Sequence, residues 1–308
     1  MRPLPPLPRE AVQLESVADR PTRVDRSVLG SATSVSVTAF VDSLPRVLAA
    51  DDLRAVAAAL RSARKGGRPI VMGVGGHVVK TGLCPLLCRC LEEGVITALA
   101  LVGGAALHDL ELACWGRTSE DVADRLPTGR FGMVRETGDV FWGAVGSTGA
   151  EGLGWALGCA LAGAPHATDS ILATAARLGL AATVHPAFGA ETVFAHPATD
   201  GPALGAAADV DFRRLAAVLA DLEDGVYLNV GSAVILPEVF AKALNLARNV
   251  TGRSISRFTA ADLDMVRHYR PGENVVSRPV ASEGRGYRLT GHHEILVPLL
   301  LQLAREQD

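Results

Sequence analysis

The sequence predicts an α/β fold built on a mostly parallel, doubly wound, Rossmann-like sheet. Three observations point there. Short apolar runs alternate with stretches of helical periodicity, most runs end in glycine or histidine, and an apolar fraction of 48% comes with only 5% aromatics. An interior of Ala, Leu, Val and Gly suits helices packed closely on a parallel sheet. A chain of 308 residues can bury one large core, and a single domain is expected over residues 36–308.

The elements follow in order. Residues 1–35 are punctuated by Pro, Ser and Thr with weak periodicity, which reads as an N-terminal arm. From Val41 to Arg64 apolar positions recur at helical spacing, and Lys65-Gly-Gly-Arg-Pro stops that helix before a strand at Ile70. Lys80 to Gly94 predicts a helix and Ile96 to Val102 a second buried strand, which completes a βαβ unit. Thr118 to Gly154 is glycine-rich, charged and too long for a simple loop, so an inserted helical or loop segment is expected there as a lid or subunit contact. Further strands are expected at Gly179 to Val184, Gly225 to Val230 and Ser254 to Thr259. Helices at Ser170 to Leu178, Asp211 to Leu222 and Pro237 to Asn249 lie between them.

Composition narrows the partners. Lys and Arg number 30 against 33 Asp and Glu, so no broad basic field exists to hold nucleic acid or an anionic membrane, and a small molecule is expected instead. The five cysteines lack the spacing of a zinc site and read as reduced core residues. The N-terminus has no apolar signal region and Ile295 to Leu303 is too short to span a bilayer, so a cytoplasmic protein is expected.

Ligands of open α/β sheets bind beyond the carboxyl ends of the strands. There the sequence places Gly75, Gly76, His77 and Thr81, then Gly103, Gly104, His108 and Asp109, then His185 and Glu191, then Gly231 and Ser232, and finally His292, His293 and Glu294. Glycines at such ends let a dinucleotide pyrophosphate approach the main chain. The histidines are expected to converge on one cleft, where imidazoles can move protons near neutral pH.

The segments GGHVVKTGLCPLL, ALALVGGAALHDLELA, Gly225-Val-Tyr-Leu-Asn-Val-Gly-Ser and LTGHHEILVPLLL, in this order and spacing, resemble deoxyhypusine synthase, and especially its bacterial deoxyhypusine synthase-like branch. The stretches Thr118-Ser-Glu-Asp-Val and Phe131-Gly-Met-Val-Arg-Glu-Thr-Gly fit that branch in particular. The resemblance implies a homotetramer with active sites near subunit interfaces and NAD as a catalytic cofactor. It assigns cofactor contacts to Gly75, Gly76, His77, Thr81, Gly103, Gly104, Asp109, Gly231, Ser232 and His293. Glu191 lies near the family's amine-holding aspartate, with Glu238 as a helper, and His108, His185 and His292 remain as proton carriers. The Ser-Trp-Gly-Lys motif that carries the family's catalytic lysine is missing; the corresponding region offers Arg270 and Glu273. Arginine stays protonated and forms no imine.

The expected function is therefore NAD-dependent transient oxidation of a polyamine-like amine, with aminoalkyl transfer to a small acceptor and not to a protein lysine. The alternatives are an NAD-dependent elimination through a temporary ketone, a metal-dependent hydrolase drawing on the histidines, and a non-catalytic homologue. The cofactor expected is NAD, and no metal site is assigned.

Overall fold

A computed structural model of the protein describes residues 36–149 and 151–306. The arm expected at 1–35 lies outside the described residues.

Six strands form the sheet: β1 (Ile70–Val74), β2 (Ala98–Val102), β3 (Ala181–His185), β4 (Val226–Val230), β5 (Thr259–Asp264) and β6 (Arg285–Thr290). Their order is β3-β2-β1-β4-β5-β6 and every pairing is parallel. This is the doubly wound order in which the connections reverse direction beside β1. The helices are α1 (Val37–Ser43), α2 (Leu48–Lys65), α3 (Gly76–Lys80), α4 (Cys84–Glu92), α5 (Gly103–Trp115), α6 (Val122–Arg125), α7 (Arg135–Gly146), α8 (Gly152–Leu161), α9 (Ile171–Leu178), α10 (Gly201–Leu219), α11 (Ile235–Thr251), α12 (Tyr269–Asn274) and α13 (His293–Arg305).

Side chains alternate across a strand, and here that alternation divides the apolar interior in two. Ile70, Met72 and Val74 of β1, with Leu228 and Val230 of β4, join a core built with α2, α4, α5, α8, α9 and α13. Val71, Ala98, Ala100 and Tyr227 point the other way, into a smaller core with α10 and α11. Strands buried on both faces read as unbroken apolar runs, which is why β1 and β4, buried throughout, are plain in the sequence. The edge strand β6 is largely exposed and reads as polar.

Several expectations shift. The helix expected over Lys80 to Gly94 is two helices, because Gly82 adopts φ +80° and Pro85 begins a new first turn. The strand expected at Ser254 to Thr259 starts where that stretch ends: Ile255 and Phe258 enter the second core as a connection, and the strand is Thr-Ala-Ala-Asp-Leu-Asp. Helix α10 begins ten residues before the expected Asp211, since Asp200 accepts the N–H of Ala203 at 3.0 Å and caps it. Within 118–154 the lining of the large cleft described below comes from Ser119 to Thr137. Phe141, Trp142 and Val145 of α7 and Leu153 and Leu157 of α8 are core residues. Among the described residues no helix is long and apolar enough to cross a membrane.

Candidate active site

The carboxyl ends of β1 and β4 meet at the switch point, and their loops touch through main chain. Gly75 donates to the Val230 carbonyl at 2.8 Å. A Cβ on Gly75 would stand 1.9 Å from the Gly231 carbonyl oxygen, so no side chain is possible there. Gly231 sits at φ +68°, donates to the Leu263 carbonyl at 3.0 Å, and rests on the His293 ring beneath it. A cleft of about 520 Å³ opens above, lined by Gly76, Gly104, Gly231 and Ser232 on its floor and by Lys80, His108, Glu111, Glu120, Thr137 and Glu191 on its walls. Nothing lies within 4 Å of the place a Gly104 Cβ would take. A second cavity of about 570 Å³ adjoins it, shares Glu111, Glu120 and Thr137, and adds Trp115 and Arg117.

His108 projects from α5 into this cleft, its ring edge 3.6 Å from where a Gly76 Cβ would lie. Its Nδ1 is 2.7 Å from the Thr118 hydroxyl. That hydroxyl donates its one proton to Glu111 Oε2, so it accepts from His108, which places the ring proton on Nδ1 and leaves a lone pair on Nε2. Glu111 Oε1 in turn accepts from Thr137 at 3.1 Å. Burial and the nearby Lys80 ammonium push the imidazole down to about 4; the Glu111 carboxylate, 4.0 Å from Nδ1, pulls the other way. At neutral pH His108 is an uncharged base with a fixed tautomer.

Glu191 lies across the start of α5. Its Oε1 would be 2.3 Å from a Cβ on Gly103, so that glycine makes room for the carboxylate. The carboxylate accepts the Ala187 N–H at 3.2 Å and is raised above the usual range, chiefly by burial. It has acceptor capacity left for a cationic or hydroxyl-bearing ligand.

The histidines do not converge. His185 is buried at the end of β3 with Nε2 2.9 Å from the Thr183 hydroxyl, and burial pushes it down to about 4. His293 is buried, 3.3 Å from the Leu263 carbonyl, and stacks at a tilt on exposed His77 with ring centroids 5.4 Å apart. His292 is exposed beside Glu294. Asp109 faces away from the cleft: it is fully buried and accepts from Ser170 Oγ at 2.7 Å and the N–H groups of Ile171 and Leu172, capping α9. Thr81 donates to the Val78 carbonyl at 3.1 Å. Glu238 lies on α11, paired with Lys242 and bonded by Asn274 at 2.8 Å, with Arg270 at 3.4 Å. Ser232 accepts the Leu236 N–H at 3.1 Å. Thus Gly76, Gly104, His108, Glu191, Gly231 and Ser232 meet in the cleft, Gly75 and Gly103 support it, and the other expected site residues stand outside it. Among the described residues no three His, Cys, Asp or Glu are placed to share a metal ion.

Sequence reasoning missed Glu111, Thr118 and Thr137, and assigned no role to Lys80. His108 and Glu111 are three apart on a helix and so share a face, a spacing that could have flagged the carboxylate.

Fold and cleft together define a Rossmann-like α/β protein with a cleft at the switch point of its sheet. No family model matches the chain, and no curated protein is similar to it in sequence. Solved structures share the fold. ArgZ, an arginine dihydrolase of the ornithine-ammonia cycle in cyanobacteria, is 15% identical with a TM-score of 0.52, over 85% of this chain and 33% of its own. A LOR/SDH protein from Methanococcus maripaludis is 13% identical with a TM-score of 0.51, over 83% of this chain and 69% of its own. AgrE, solved with ornithine and NAD+, is 14% identical with a TM-score of 0.51, over 82% and 32%. The chain therefore spans about a third of the length of ArgZ and of AgrE. A deoxyhypusine synthase-type protein from Entamoeba histolytica aligns over 87% of this chain and 92% of its own at 12% identity, but its TM-score of 0.45 carries no weight.

Proposed function

We propose that this protein is an NAD-dependent enzyme acting on a small amine through transient oxidation, with transfer of the aminoalkyl group to a small acceptor. The observation that carries the reading is the cleft: a main-chain floor at the β1/β4 switch point, with a neutral imidazole base whose ring edge lies against Gly76. Gly76 and Gly104 would hold the cofactor, since they let a pyrophosphate and ribose lie against backbone where a side chain would intrude, while Gly75 and Gly231 close the seam beneath. Bound there, NAD supplies a hydride acceptor and donor.

The chain's own groups would do the rest. Glu191 holds the substrate ammonium, and its burial strengthens that contact. His108 Nε2 removes a proton from the substrate, while Thr118 and Glu111 keep its ring in the base tautomer and offset the imidazolium charge that forms. AgrE, of which this chain matches 32% of the length, is solved with ornithine and NAD+, which is in keeping with a nucleotide and an amine as ligands. Polyamines and amino acids are the two amine classes that Glu191 admits. The base also suits an elimination through a temporary ketone, since its unprotonated nitrogen could take the proton made acidic by oxidation.

The test is to unfold the purified protein, analyse the released small molecules for NAD by mass spectrometry, and measure the thermal shift with added NAD. Bound NAD, or a clear stabilisation by it, is expected. A folded sample that releases no NAD and gains no stability from added NAD would refute the reading.

A further inference from the structure

The chain has only three lysines, Lys65, Lys80 and Lys242. Lys65 ends α2 in solvent, where a cation complements the helix C-terminus. Lys242 is paired with Glu238 on the turn before it. Lys80 is on the wall of the cleft and, among the described residues, has no hydrogen bond or ion pair.

Glu111, Glu120 and Glu191 line the same cleft, and each has partners other than Lys80. Glu111 accepts the hydroxyls of Thr118 and Thr137. Glu120 accepts the Gly132 N–H at 2.6 Å, with Arg125 at 3.9 Å. Glu191 accepts the Ala187 N–H across the cleft. Lys80 also disfavours a proton on His108, so its charge acts on the reacting region. Lys80 is exposed at the mouth of the cleft and unpaired, so its ammonium is free to meet an anionic ligand group that enters there.

We infer that Lys80 binds a carboxylate of the substrate, so that the amine held by Glu191 belongs to an amino acid and not to a polyamine. The inference rests on the reading of the cleft as an amine site. A polyamine would bring only cations toward Lys80, whereas an amino acid offers an ammonium to Glu191 and a carboxylate to Lys80. The same ammonium could reach an anion of the cofactor, the pyrophosphate, and the test separates the two sources.

Full-length wild type, Lys80→Met, Lys80→Arg and Glu191→Gln are compared by thermal shift and calorimetric titration, with NAD alone and then with matched pairs added. The pairs are ornithine and putrescine, lysine and cadaverine, and 4-aminobutyrate and butylamine, each differing by one carboxylate. Wild type is expected to bind the carboxylated member of at least one pair more tightly than its counterpart. Lys80→Met should weaken that binding roughly 10- to 100-fold, the range for losing a contact to a charged group, while stabilisation by NAD alone persists and Lys80→Arg restores much of the loss. Equal binding of the two members of every pair, or no binding of any carboxylated member, would overturn the inference. So would a loss of NAD stabilisation in Lys80→Met, which would assign the lysine to the pyrophosphate. Failure of the NAD reading shows separately, as no stabilisation of wild type by NAD alone.

Discussion

His108 gathers the electrostatics of the cleft at one ring. An imidazole in water titrates near 6.5, whereas this one is pushed down to about 4. The acid limb of a pH–rate profile governed by it should therefore lie well below pH 6, with activity lost as the pH falls toward 4 and the base takes up its proton. Thr118→Val should lower kcat by about 10-fold or more by freeing the tautomer, with a smaller change in KM; an equal loss in stability and no change in the profile would count against the relay. The glycines and His108 of this site were legible because glycine after an apolar strand is a local signal. Glu111 and Thr118 were not, because a carboxylate on a helix and a threonine in a loop look like solvated residues until the fold brings them together.

Asp211 shows what an internal carboxylate does between elements. From α10 its Oδ2 accepts the N–H of Gly154 at 2.9 Å and of Val184 at 2.7 Å, which ties α8 and β3 together, while Oδ1 is buried without a partner. Burial pushes its pKa up to about 7. A group raised above its unfolded value near 3.8 contributes stability that is complete below that value and is lost as the pH rises through 7. Wild type should thus lose melting temperature between about pH 4 and 7 through this group and show no further loss from it above that, and Asp211→Asn, uncharged throughout, should remove that part of the slope. Asp211→Ala leaves two buried N–H groups without an acceptor and should cost about 2–4 kcal/mol in chemical denaturation. Gly154 marks the closest approach of α8 to β3, since a Cβ there would meet the Ala182 carbonyl oxygen at 2.1 Å. Gly154→Ala should lower stability by an overpacking penalty of about 1–3 kcal/mol or more. At this scale the central strands were readable and β5 and β6 were not. Asp262 inside β5 is buried and accepts from Asn229 at 2.8 Å, a compensation supplied by a neighbouring strand that no local pattern displays.

For the whole molecule, the order of the sheet follows from the alternation of strand and helix, and the switch point beside β1 follows from that order. The cleft therefore had a foreseeable place even though half of the residues expected in it lie elsewhere. We propose a homotetrameric assembly, on the sequence resemblance alone. Light scattering coupled to size exclusion should give four chains per particle at micromolar concentration; a monomer that still binds NAD would separate the site from any interface. Exposed Leu126, Met133 and Phe188 lie on or beside the segments that border the cleft; on the proposal that they pack subunits together, Leu126→Asp should dissociate the particle.

The seam at the middle of the sheet also sets a time. Ile70 pairs with Val226 and Val74 with Val230, so the two strands that form the floor of the cleft are made about half a chain apart. Ribosomes add roughly 5–20 residues per second, which leaves one edge of β1 without its partner for roughly 10–30 s of synthesis. An open, apolar strand edge is a template for wrong pairing, and the nascent chain carries that exposure each time it is made. Yield in cells should accordingly depend on chaperones and on lower growth temperature more than the finished protein's melting point would suggest.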